Sequence, residues 1–223
     1  MGGATGGTPL TRHTPSRPTP PGHTPRSGLA RLLAGPVEPA ARGLLGALVT
    51  AHGVTVRLTE VEAYSGEGTD AASHAHRGRT RRNAVMFGPS GYAYVYFTYG
   101  MHWCLNVVTG PAGVASAVLL RAGEVVAGVE VARARRGPAV KDRDLARGPA
   151  RLVSALGVDG SAYGTSVLDG TGPILIAPPR APVDPTLVRA GPRVGVTGAH
   201  DVRWRFWLDG DPTVSVYRRH VPR

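Results

Sequence analysis

Glu60 and Glu62, two residues apart in the stretch Val54–Tyr64, are the acids best placed for proton chemistry. The stretch alternates as a strand, with Val54, Val56, Leu58, Glu60, Glu62 and Tyr64 on one side and Arg57, Thr59, Val61 and Ala63 on the other. Carboxylates at i and i+2 lie roughly 7 Å apart at the backbone, which suits the paired acids of a glycosidase and equally two solvated charges at a strand end. A second group is aromatic. Tyr92, Tyr94 and Tyr96 alternate with Ala93, Val95 and Phe97, the run breaks at Thr98-Tyr99-Gly100, and it resumes as Met101–Val108. That pattern predicts a β-hairpin turning at Gly100 with Tyr99 at its tip. A ring at a turn has little core to join and, in a basic protein, suits a wedge between stacked bases, whereas strand tyrosines ordinarily pack a core with their hydroxyls at the rim.

Other reactive side chains narrow the chemistry. Asp70, His74 and His76 share one polar loop, but no second spaced set of ligands closes a metal site, so no metal and no cofactor is expected. Cys104 is the single cysteine, which excludes an intramolecular disulfide and multi-cysteine clusters, and it reads as a small apolar strand residue. Of 26 basic residues only Lys141 is a lysine, leaving few amines for covalent catalysis. The run Arg77–Asn83 carries four arginines around a glycine, able to follow a phosphate backbone or to form a solvated loop face. Arg121 ends an apolar strand and either snorkels outward or meets a carboxylate of a neighbouring strand.

These residues need a scaffold, and 223 residues suffice for one good-sized core. Residues 1–28 are rich in Gly, Thr, Pro and Arg and contain no acid, so a flexible basic tail is expected ahead of a domain at 29–223. Leu29–Leu33 predicts a short helix and Val37–Val49 a longer one, from Ala41, Leu44, Leu45 and Leu48. Ser65–Phe87 reads as loop, Gly113–Arg121 as a strand, Val125–Arg136 as a helix, and Gly148-Pro149 as the start of another. Ile174–Ala177, Arg193–Val196 and Val214–Tyr217 read as closing strands. The fold class expected is α+β: a single domain with a curved, mostly antiparallel sheet, peripheral helices and a protruding β-hairpin.

A formal charge of +11 points to a partner dense in negative charge, nucleic acid or an anionic membrane surface. No apolar run reaches the roughly eighteen residues that span a bilayer, and no secretory signal opens the chain, so no membrane role is expected.

Seven runs together resemble the alkyladenine (3-methyladenine) DNA glycosylases of the mammalian type, also found in bacteria. They are TEVEAY (Thr59–Tyr64), DAASHA (Asp70–Ala75), RRNAVMFGP (Arg81–Pro89), YAYVYFTYGMHWCLNVV (Tyr92–Val108), VLLRAGE (Val118–Glu124), LARGPARL (Leu145–Leu152) and PRVGV (Pro192–Val196). The resemblance covers roughly Val37 to Val216. It implies a base-excision repair enzyme that flips damaged purines out of duplex DNA and hydrolyses the N-glycosidic bond. By the same resemblance Glu62 is the general base, and Arg121 helps hold the attacking water. Tyr64, His74 and Tyr96 sandwich the flipped base, Asn106 rejects the exocyclic amine of guanine, and Tyr99 fills the gap left in the stack. A monomer acting on double-stranded DNA in the cytoplasm, at the bacterial nucleoid, is implied. Two departures touch loops: Arg81 stands where many relatives have proline, and Ser65-Gly66-Glu67 replaces the commoner Leu-Gly-Pro.

Physical reasoning agrees with that chemistry. Nucleoside hydrolysis develops positive charge on the sugar, so an anionic Glu62 both stabilises that charge and activates water. Purines alkylated at N3 or N7 are already cationic and leave readily. Two other readings remain open on the sequence: a non-catalytic nucleic-acid-binding module, and a sugar hydrolase using Glu60 with Glu62.

Overall fold

A computed structural model describes residues 1–3, 25–98 and 100–219. Most of the expected tail (1–28) and the hairpin-tip residue Tyr99 lie outside the described residues.

Strand β2 (Val54–Tyr64) is the axis of the sheet. On one edge it pairs along its length with β5 (Ala117–Ala127). On the other, its first half pairs with β1 (Leu48–Ala51) and its second half with β8 (Arg205–Leu208). Beyond β5 lie β4 (His102–Val108) and β3 (Ala93–Thr98), beyond β1 lies β6 (Ile174–Ala177), and β8 carries β7 (Val188–Gly191). Every pairing is antiparallel. With helices α1 (Pro25–Ala34), α2 (Val37–Gly43), α3 (Val129–Arg136) and α4 (Pro149–Leu156) added, this is the expected α+β domain.

One apolar core joins the helices to one face of the sheet. Leu33, Ala41, Ala132 and Leu152 come from the four helices; Val56, Val61, Val95, Leu105 and Leu120 come from the strands. The two-residue period of a strand then sends the alternate side chains, Tyr94, Tyr96, Cys104, Asn106, Leu119 and Arg121, to the opposite face, where a cavity lies.

Within β2 the expected single face is broken. Val54, Val56 and Leu58 enter the core, but so do Val61 and Ala63, so the phase changes by one residue between Leu58 and Val61. The register records why: Leu58 pairs Gly123, Glu60 pairs Ala122 and Val61 pairs Leu120, leaving Thr59 and Arg121 without ladder partners. A bulge of this kind re-aims side chains. Here it turns Glu60, Glu62 and Tyr64 away from the face that Val56 and Leu58 occupy. Gly123 permits the close approach, since a Cβ there would sit 2.3 Å from the Arg57 carbonyl oxygen.

Five expected elements differ in the structure. The helix expected over Val37–Val49 stops at Gly43, because a turn tucks Leu44 and Leu45 into the core and Gly46 adopts φ 77, so Leu48 opens β1 instead. β5 continues past Arg121 to Ala127, and the helix expected from Val125 starts after Gly128 at φ 73. Residues 193–196 form no strand: the Arg193 side chain is buried against Asp70 and the Val194 N–H is given to Glu62. Residues 214–217 form none either, the Ser215 N–H going to Glu60. Two expectations hold closely: the hairpin β3–β4, and α4, which opens on Pro149, where a missing N–H costs nothing.

Candidate active site

The cavity has a volume of about 600 Å³, within the range of small-molecule pockets. Glu62, Tyr64, His74, Tyr96, Asn106 and Arg121 all line it. Five of the six come from strands whose period fixes their direction. His74 comes from the polar loop and is held by the backbone around it: Asn83 Nδ2 donates to the carbonyls of His74 (2.9 Å) and Gly78 (3.1 Å).

Glu62 is fully buried. Its Oε1 accepts from the Val194 N–H at 2.8 Å, its Oε2 accepts from the Tyr64 hydroxyl at 2.9 Å, and Arg121 Nη1 stands 3.5 Å from Oε1. Arg121 is itself buried; burial works against its charge, yet Glu62 and Glu60 outweigh burial and hold it protonated. Burial, reinforced by the Glu62 charge, pushes the Tyr64 phenol well above its ordinary value, so it stays a donor. A buried carboxylate beside a guanidinium and at the wall of a ring-lined slot can take a proton from a water held there.

The aromatic wall is a connected unit. His74 meets Tyr96 edge-on at 4.6 Å, Tyr94 lies 5.3 Å from Tyr96, and the Tyr94 hydroxyl shares a 2.8 Å hydrogen bond with His74 Nδ1. Burial drives the Tyr94 phenol up to about 12 and raises Tyr96 further. Arg82 spans the rim, with its guanidinium 5.3 Å from the Tyr96 ring centroid and Nη2 donating to the Phe97 carbonyl at 3.1 Å. Partial burial and the Arg82 charge lower the His74 pKa below 6.5, which keeps the imidazole neutral at neutral pH. Replacing Arg82 by Gln removes the second cause only, so the His74 titration midpoint, followed by NMR of its ring protons, should rise; an unmoved midpoint would contradict the assignment. Asn106 Nδ2 donates to the Tyr94 carbonyl at 3.0 Å, which fixes the orientation of the amide.

Tyr64 is braced from behind by a pair that sequence reasoning gave no role. Arg193 donates through both terminal nitrogens to Asp70, each at 2.7 Å, and also to the Ala63 carbonyl at 2.9 Å. Its guanidinium carbon lies 4.6 Å from the Tyr64 ring centroid. Asp70 is therefore committed, and no group of three His, Cys, Asp or Glu able to hold a metal occurs among the described residues. The other unforeseen residues are Tyr94 and Cys104. Strand alternation did place both on the cavity face, but Tyr94 was read only as part of the strand and Cys104 only as an apolar filler. Burial raises the Cys104 pKa, so its thiol stays protonated.

The family model described as Methylpurine-DNA glycosylase matches residues 31–212. The chain belongs to this family. Relatives whose names include the words 3-methyladenine DNA glycosylase are similar over most of both chains. One from Nocardia farcinica is 55% identical over 184 residues, 81% of this chain and 86% of that protein. One from Streptomyces avermitilis is 54% identical over 204 residues, 89% and 95%. One from Mycobacterium leprae is 48% identical over 184 residues, 81% and 84%. The protein is thus a DNA glycosylase, a hydrolase of base-excision repair that acts on DNA. That sets aside the non-catalytic binding module. The sugar-hydrolase reading also loses its second acid, because Glu60 lines no part of the cavity and its oxygens are taken by Arg121, Arg205 and Ser215. Among the described residues no helix is long and apolar enough to cross a membrane.

Proposed function

We propose that this glycosylase flips alkylated or deaminated purines, namely 3-methyladenine, 7-methylguanine, hypoxanthine and ethenoadenine, from duplex DNA into the cavity and releases them by simple hydrolysis. The observation that carries the reading is the placement of Glu62, buried at the wall of a slot that it shares with Tyr64, His74 and Tyr96.

Glu62 orients a water at the sugar C1′ with help from Arg121. As the C1′–N bond breaks, its electron pair leaves with the purine; the water oxygen bonds to C1′ and a water proton passes to Glu62, leaving an abasic site. A base alkylated at N3 or N7 departs neutral because it entered cationic, whereas hypoxanthine and ethenoadenine need a proton as they leave. Stacking on Tyr64 and Tyr96 favours the cationic rings by about 0.5–2 kcal/mol per contact. Damaged and mispaired bases also cost less to extrude. Asn106 discriminates against guanine, and Tyr99 takes the place of the extruded nucleotide in the stack. The enzyme acts as a cytoplasmic monomer without metal, and residues 1–28 add a basic arm to a catalytic domain at 29–223.

The cavity is lined by no lysine, and Lys141 is exposed on a short turn ahead of α4. Excision should therefore leave the strand intact until alkali or heat is applied, and Lys141→Ala should excise at the parent rate. Nicking without such treatment, or a borohydride-trapped adduct lost on Lys141→Ala, would establish amine chemistry instead. A panel of duplexes carrying the four lesions, with EDTA present, tests substrate range and metal independence together; no release from any of them would refute the reading.

A further inference from the structure

We propose that Glu60 is a positioning residue: it grips Arg121 from behind and sets how that guanidinium addresses Glu62, and Ser215 of the C-terminal segment completes the mount. The inference rests on the roles given above to Glu62 and Arg121.

Glu60 is fully buried, outside the cavity lining, and more heavily bonded than a stray core carboxylate needs to be. Its Oε1 accepts from Arg121 Nε at 2.8 Å, from Ser215 Oγ at 3.0 Å and from Arg205 Nε; its Oε2 accepts from the Ser215 N–H at 2.8 Å. Arg121 therefore spends Nε on Glu60, and its Nη1 stands 3.5 Å from Glu62, beyond a normal hydrogen bond. That difference has a chemical consequence. A guanidinium clamped in two-point fashion on Glu62 would consume the oxygen that must accept a proton and would make it a poorer base. Held by Glu60, Arg121 lies close enough to steer a water and to balance charge, yet leaves Glu62 free to react.

The local backbone supports the assignment. The β2–β5 register shifts at three points, and the two shifts on either side of Glu60 leave Thr59, next to Glu60, and Arg121 itself without ladder partners, so these irregularities fall where the two side chains are aimed. Arg205 supplies a second positive charge, so two buried arginines offset two buried glutamates.

The test compares single-turnover excision at saturating enzyme with binding of the same lesion duplex. Glu60→Gln should slow excision on the order of 10²-fold, the scale of a misplaced group, while the Kd for the lesion duplex stays within about twofold. The double variant Glu60→Gln/Arg205→Met restores charge balance but leaves Arg121 only a neutral carbonyl in place of the charged grip, and it should remain slow. Recovery of the parent rate in the double variant would show that Glu60 is merely the counterion of Arg205 and would overturn the proposal, as would a parent rate in Glu60→Gln. Should Glu60→Gln fail to fold, Ser215→Ala removes one hydrogen bond and should cost about fivefold in rate with Kd unchanged; no change in rate overturns the proposal equally. Glu62→Gln, run alongside, separates the two failures: if it stays active, the parent reading falls, whereas if it is inactive and Glu60→Gln is not, only the present inference does.

Discussion

Glu62→Gln should lower the excision rate by roughly 10²–10⁴-fold, the usual contribution of a positioned general base, while the affinity for lesion-containing duplex is kept. The substitution is well tolerated by its surroundings. A Gln carbonyl can still accept from the Val194 N–H, and the Tyr64 hydroxyl can turn to accept from the amide, so neither existing contact is left unpaired. Arg121 keeps Glu60 as its partner. What disappears is the negative charge and the ability to take a proton, so a loss of rate without a loss of binding reports chemistry rather than folding. Excision at the parent rate would remove Glu62 from the mechanism, and loss of lesion binding in parallel would make it a binding residue.

On stability, the largest expected effect lies behind the pocket, at Asp70. Asp70→Ala should destabilise the fold by about 3–5 kcal/mol, because it strands a buried guanidinium rather than removing a whole pair. Arg193 is 1% exposed, and without Asp70 its neighbours are the Ala63 carbonyl and the rings of Tyr64 and Trp204. In a domain of this size each kcal/mol lowers Tm by roughly 2–4 °C, readily seen by calorimetry. A change within error would mean that Arg193 relaxes to solvent and braces nothing.

The same carboxylate predicts a pH dependence. Burial raises the Asp70 pKa, but the hydrogen bonds and charge of Arg193, with the N–H groups of Ser65 and Ala72, outweigh it and hold the group below 3.8. A depressed pKa stabilises the fold above the unfolded value and loses that contribution as pH falls through the folded one. The stability gap between the parent protein and Asp70→Asn should therefore be flat from neutral pH down to about 5, then close below the ordinary carboxylate range. A gap that began to close near pH 6 would implicate a histidine instead.

Much of the site was legible because strands impose a short-range rule. Tyr96, Asn106 and Arg121 reach one cavity through alternation on β3, β4 and β5, and any reader of a two-residue period can sort them from Val95, Leu105 and Leu120. Alternation misled at β2, where extending the pattern from Val54 through Tyr64 gives Glu62 the same face as Val56. The bulge at Thr59 reverses that, and nothing local marks it, since it arises from the pairing of Leu58 with Gly123 and of Val61 with Leu120, more than fifty residues away. Arg193–Val196 was misread for a similar reason: its apolar alternation resembles a strand, but its backbone and side chain are spent on Glu62 and Asp70.

Residue types and spacing by themselves determined which groups this protein can use: a pair of acids two residues apart, a set of rings, a surplus of arginine and hardly any amine. Only the tertiary structure decided which carboxylate faces the cavity and which is enclosed behind it. Glu60 and Glu62 are equivalent as sequence, both buried and both next to Arg121, and they part company because β8 and the C-terminal segment close over the first while the second opens on the cavity. Burial beside donors that come from distant parts of the chain is a property of the packed fold, and short-range periodicity carries no trace of it.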